Sequence, residues 1–138
     1  MGDKYFLKLA IEEAKKVKDE NKFGAVIVKN GKVISSKHNL TQEEKDPTAH
    51  AEIVAIRKAC KALGEKHLDN CTLYSNAEPC FMCFTAAAWA HISKVVYNKP
   101  RKDFSHIDYH TMDFTIRDLN SHFDKPLEII EIKEIDKP

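Results

Sequence analysis

The dipeptide Asn30-Gly31 lies between the apolar run Phe23-Gly24-Ala25-Val26-Ile27-Val28 and Lys32-Val33-Ile34-Ser35, and it constrains the fold more than any other local feature. Asn-Gly supplies two residues that tolerate positive φ, so the flanking runs are expected to form an antiparallel hairpin. The first run has no polar break, as expected of a strand covered on both faces.

Around this hairpin, Tyr5 to Glu20 reads as an amphipathic helix, with Phe6, Leu9, Ala10, Ile11, Ala14 and Val17 near helical spacing. His38 to Pro47 reads as a polar connection. Asp46 or Thr48 is expected to cap a helix that runs to Leu63 and stops at Gly64, with Ile53, Ile56, Cys60 and Leu63 on one side. Cys71 to Ser75 reads as a strand, Pro79 to His91 as a buried helix, Lys94 to Tyr97 as a strand, and Leu127 to Ile132 as an edge strand. Strands alternating with helices imply parallel pairing through crossovers and helices on the sheet faces. The expectation is a three-layer α/β/α sandwich around a mixed sheet of about five strands, with residues 1–138 forming a single domain. Residues 100 to 122 carry no readable periodicity.

With 22 Lys and Arg against 21 Asp and Glu, the net charge of +1 argues against a protein whose main work is gripping phosphate backbone. A local basic patch remains compatible with it. No apolar run approaches the ~18 residues of a membrane span, and Met1-Gly2-Asp3-Lys4 opens no secretory signal. A cytoplasmic location without membrane partners is the expectation, so Cys60, Cys71, Cys80 and Cys83 read as metal, catalytic or core residues before disulfides. Cys60 and Cys71 read as small buried hydrophobes, and Trp89 as core rather than a stacking platform.

The chemistry concentrates in His50-Ala51-Glu52 and in Pro79-Cys80-Phe81-Met82-Cys83, which begins 27 residues after Glu52. Two cysteines at i and i+3 on a helix share a face and can reach one ion. With His50 they make three ligands of a tetrahedral zinc site, whose fourth position would be left to water, as in catalytic sites. Helix N-termini favour the thiolates. His50 and Glu52 point roughly 200° apart on a regular helix, so they converge only in a first turn viewed end-on from the metal. There Glu52 is placed to move protons between water and substrate.

The combination H-x-E…P-C-x-x-C is the signature of zinc nucleobase deaminases. On these motifs the chain resembles the cytidine/deoxycytidylate-type zinc deaminases. Asp46-Pro47-Thr48-Ala49-His50-Ala51-Glu52 and Ala55-Ile56-Arg57 are similar to the branch holding guanine deaminases and tRNA adenosine deaminases. The resemblance implies zinc held by His50, Cys80 and Cys83, hydroxide attack on the amino-bearing ring carbon, and Glu52 as proton shuttle. It also implies substrate contacts from Asn39, Phe23, Ala51 and Asp113, with an ordinary turn role as the alternative for Asn39. If residues 100–122 fold over the site, His106 or His110 would line it and Phe104 would stack on a base; a surface position is the alternative for the histidines.

The substrate implied is a small-molecule purine or related aminated heterocycle, with guanine to xanthine the first choice. A tRNA wobble adenosine is the alternative, and a non-catalytic zinc-bearing partner subunit the alternative of another class. The resemblance further implies a homodimer. Three features depart from the branch: Phe81 where Pro is common, Asn98-Lys99-Pro100-Arg101 where the tRNA enzymes carry a Gly-rich stretch, and an end at Pro138 before a closing segment.

Overall fold

A computed structural model describes residues 1–104 and 114–135. In chain order the elements are α1 (Asp3–Ala14), β1 (Gly24–Lys29), β2 (Lys32–His38), α2 (Thr41–Glu44), α3 (Ala51–Leu63), β3 (Cys71–Ala77), α4 (Phe81–Trp89), β4 (Lys94–Lys99), a 3-10 turn (Arg101–Phe104), α5 (Ile116–Asn120) and β5 (Glu128–Glu131). Asn30 and Gly31 sit at φ 52° and 77°, the two left-handed positions that the hairpin needs.

The five strands are ordered β2-β1-β3-β4-β5. β1 pairs antiparallel with both β2 and β3, whereas β3–β4 and β4–β5 are parallel. The expected mixed sheet is therefore present, but not every helix joins adjacent parallel strands. The segment carrying α3 passes over β1, so β3 lands on the far side of β1 and antiparallel to it.

Alternation along the strands builds the three layers. Val26, Val28, Tyr74 and Val96 face α1 residues Phe6, Leu7 and Ala10. Ala25, Ile27, Leu73 and Val95 face the opposite layer, formed by Ala51, Ala55 and Ala59 of α3 and Phe84 and Ala87 of α4.

Several local expectations change. α1 ends at Ala14 rather than Glu20, because the chain folds back through Val17 and a turn in which Asp19 Oδ1 accepts from the Asn21 amide at 2.7 Å. α3 does not start from Asp46 or Thr48. Asp46 spends its Oδ1 on the Thr48 amide and hydroxyl, at 2.8 and 2.7 Å, and His50 takes the N-cap position. Gly64 ends that helix at φ 67°, as expected. The sealed face of α3 is the alanine row, with Ile53, Ile56, Cys60 and Leu63 only half-buried, since small side chains let the helix approach the sheet. Cys71 is fully buried but Cys60 is not, and Trp89 is 79% exposed rather than core.

Candidate active site

His50 and Cys80 occupy equivalent places, each the extended N-cap residue of a helix, with ψ 156° and 172° respectively. Neither side chain caps its own helix. They point at one another instead: His50 Nδ1 lies 3.6 Å from Cys80 Sγ and 3.5 Å from Cys83 Sγ. Cys83 stands in the first turn of α4, where the i, i+3 spacing carries it beside Cys80.

These distances test whether the donor set fits zinc. Tetrahedral bonds of about 2.3 Å to sulfur and 2.0–2.1 Å to nitrogen imply an N···S separation of roughly 3.6 Å. The three atoms meet that requirement, and they form the one His/Cys/Asp/Glu cluster suited to a metal among the described residues.

The electrostatics leave one of the three donors already ionised. The bond from the Cys83 thiol, joined by His50 against the cost of burial, lowers Cys80 to about 4, a thiolate at neutral pH. Cys83 is raised, because it shares its proton with Cys80 and is buried. His50 is raised by its bond to Cys80, although burial and the charge of Arg101 oppose this.

Glu52 follows in the first turn of α3 and is 6% exposed. Burial, reinforced by the charge at Cys80, pushes its carboxyl up to about 7. Ser75, at the end of β3, places its hydroxyl 3.3 Å from Glu52 Oε2. His50 and Glu52 are thus both at the helix start, the arrangement that lets them act on one ligand.

Of the expected substrate residues, Ala51 is fully buried beneath this turn and Phe23 is 8% exposed, its ring 5.2 Å from Phe104. Asn39 is buried: its Nδ2 donates to the Asn21 carbonyl at 3.2 Å, a long-range contact, and its Oδ1 accepts from the Thr41 amide at 3.1 Å. The second contact is of the turn-forming kind weighed for it beside base recognition. Asp113, His106 and His110 lie outside the described residues.

The structure adds Ser75 and Arg101, to which the sequence reading gave no role, and shows the structural work of Glu78. Ser75 bears on Glu52, and Arg101 lies over the Phe81 ring at 5.7 Å. Glu78 Oε1 accepts the Arg101 backbone amide at 3.0 Å, tying the end of β4 to the loop that presents Cys80. The available signal for Ser75 was its place as the lone polar residue in the alternating series Cys71, Leu73, Ser75, Ala77.

Comparison with known proteins agrees with this geometry. Residues 1–99 match the cytidine and deoxycytidylate deaminase zinc-binding region. The chain is 50% identical over 100 residues to a tRNA-specific adenosine deaminase of Aquifex aeolicus, covering 71% of this chain and 66% of that one. It is 45% identical over 106 residues to a guanine deaminase of Bacillus subtilis, covering 77% and 65%. The match thus spans just under two thirds of the length of these relatives. A structure from a study of A-to-I editing by tRNA:A34 deaminases superposes with a TM-score of 0.77 at 33% identity, covering 93% of this chain and 97% of that one.

Proposed function

The chain belongs to the cytidine and deoxycytidylate deaminase zinc-binding family, and on that footing we propose that it hydrolyses the exocyclic amine of a purine to a carbonyl and ammonia. The observation that carries this reading is the convergence of His50, Cys80 and Cys83 at zinc-ligand distances beside the buried carboxyl of Glu52. His50 Nδ1 and the two Sγ atoms would hold zinc, which supplies Lewis acidity and brings the pKa of water down to about 7. Glu52 takes the proton released as water attacks the amino-bearing carbon and gives it to the ring nitrogen; it then takes the proton of the hydroxyl now on that carbon and gives it to the amine, so that the C–N bond breaks and ammonia leaves as the carbonyl forms. Its carboxyl near pH 7 is suited to accepting and giving a proton. Ala51 and Phe23, both buried at this end of the sheet, would wall the base.

Between purines, the 50% identity to the Aquifex enzyme favours adenosine in a tRNA anticodon over guanine, the first choice from sequence. Guanine is the second reading, supported by 45% identity to the Bacillus guanine deaminase. A non-catalytic zinc subunit is disfavoured because Glu52 is present and buried where the proton must move. We also propose a homodimer, with exposed Trp89 and Met82 of α4 in its interface. No helix among the described residues is long and apolar enough to cross a membrane, in keeping with the cytoplasmic placement we propose.

Ammonia release by the zinc-loaded chain, measured with an anticodon stem-loop and with guanine, tests the reading. Turnover of the RNA supports the first substrate, and turnover of guanine alone supports the second. Silence toward both, and toward nucleosides and nucleotides, leaves the partner-subunit reading.

A further inference from the structure

Ser75 is fully buried, among the apolar side chains that β3 turns toward α3 and α4. It is paired on both sides, with Ala25 of β1 and Tyr97 of β4, so the sheet fixes its backbone. A buried hydroxyl costs free energy unless it is hydrogen-bonded, and an apolar side chain would fill this seat without that cost. The Ala77 carbonyl, 2.7 Å from Oγ, satisfies the hydroxyl but gives no reason for having one there. The second contact does. Oγ lies 3.3 Å from Oε2 of Glu52, which reaches it from the first turn of α3. The Glu52 carboxyl also accepts from its own backbone amide. One tether therefore comes from the helix that carries Glu52, and the other from the sheet beneath it.

We propose that Ser75 is a positioning residue for Glu52: its hydroxyl, anchored on the Ala77 carbonyl, fixes which way the carboxyl faces beside His50 and Cys80. The last torsion of a glutamate is broad, so a carboxyl held at one point swings about it. Proton transfer needs heavy atoms about 2.6–3.2 Å apart, so such a swing slows the reaction without weakening substrate binding. A hydroxyl also suits a group that takes and gives a proton, because it can donate to the carboxylate and accept from the carboxyl. A carbonyl could only accept, and an ammonium only donate.

This inference rests on the deaminase reading for what Glu52 does, but not for how Glu52 is held. Ser75→Thr and Ser75→Val, made in the full chain, introduce side chains of nearly the same shape that differ by the hydroxyl. Ser75→Ala is added because it cannot overpack the site. Each zinc-loaded protein is crystallised, and its kinetics are measured on whichever of the anticodon stem-loop and guanine the intact chain turns over. Ser75→Thr should keep residue 75 bonded to Glu52 Oε2 and hold kcat within about twofold. Ser75→Val and Ser75→Ala should leave the Glu52 carboxyl in more than one rotamer, with zinc still stoichiometric. Their kcat should fall about tenfold, the scale of one bond to a charged group, while KM stays within about twofold. An unchanged Glu52 orientation or kcat in Ser75→Ala overturns the proposal, and so does Ser75→Thr performing no better than Ser75→Val. If the intact chain releases no ammonia from any base, nucleoside, nucleotide or RNA, the deaminase reading falls, and the Glu52 rotamers in the variants still decide this one.

Discussion

Ser75 Oγ lies 2.7 Å from the Ala77 carbonyl oxygen and 3.3 Å from Oε2 of Glu52. A hydroxyl has one proton to donate. The two acceptors share it, so Ser75 donates only weakly to the Glu52 carboxylate, which by itself would lower the pKa of that carboxyl. Burial and the charge at Cys80 push Glu52 the opposite way and prevail. Protein surroundings thus hold both protonation states of this carboxyl within reach near neutral pH.

Glu52→Gln keeps the shape of the side chain and removes its ability to take a proton. The variant should retain zinc, read by metal analysis, while ammonia release falls by at least about 10²-fold. A near-normal rate would take Glu52 out of the proton path.

Cys80→Ala removes one of three donors that lie within 4.8 Å of one another. Metal content should fall far below one zinc per chain, and the melting temperature should lose its response to added zinc, because ligand binding stabilises only the state that holds the site. Stoichiometric zinc in the variant would sink the ligand assignment.

The legible parts of this chain are those dictated by short-range chemistry. Asn30-Gly31 announced its turn because both residues tolerate positive φ, and the His50, Cys80 and Cys83 pattern announced a metal site because few other roles need those donors together. The antiparallel β1–β3 pairing was not legible, because a strand's neighbour is decided by where a crossover lands. The start of α3 was misplaced because two capping-competent residues, Asp46 and Thr48, precede it closely, and only tertiary structure shows that Asp46 serves a turn. Trp89 was misjudged because an aromatic on an apolar helix reads the same whether its cover comes from the same chain or from another. Arg101 escaped because its contact with Phe81 is long-range and leaves no periodic trace, and the packing of Phe104 on Phe23 was illegible for the same reason.

Trp89 and Met82 lie seven residues apart on α4 and are 79% and 38% exposed, which places them on one helix face. Light scattering should give a dimer mass for the intact chain, and Trp89→Glu should shift it toward monomer. A monomer mass for the intact chain at working concentration would remove the interface.

Gly24 opens β1 where α1 crosses it. A Cβ built there would stand 2.3 Å from the Ala10 carbonyl oxygen and 2.5 Å from the Ala14 nitrogen, both backbone atoms. Neither can swing aside, so Gly24→Ala must move the helix off the sheet, and the loss should reach about 1–3 kcal/mol or more in denaturant unfolding. An unchanged midpoint would mean that α1 docks more loosely than this contact requires.

Glu13 gives a pH dependence whose sign can be worked out. Its side chain is 8% exposed and accepts from His38 Nδ1 at 2.7 Å, Ser36 Oγ at 2.9 Å and Lys16 Nζ at 3.1 Å. Burial pushes the carboxyl up, but these bonds together overcome it and hold the group below its usual value. A carboxyl lowered in the folded state binds fewer protons there than when unfolded, so its contribution is complete above the unfolded value near 4.5 and fades as pH falls through the folded one. Glu13→Gln should therefore cost about 1–3 kcal/mol at pH 7, the scale of bonds to a charged group. The difference between the two proteins should narrow steadily on acidification below pH ~4.5. Urea unfolding of both across that range measures it, and a gap that stays constant into acid would show that Glu13 contributes by shape rather than by charge.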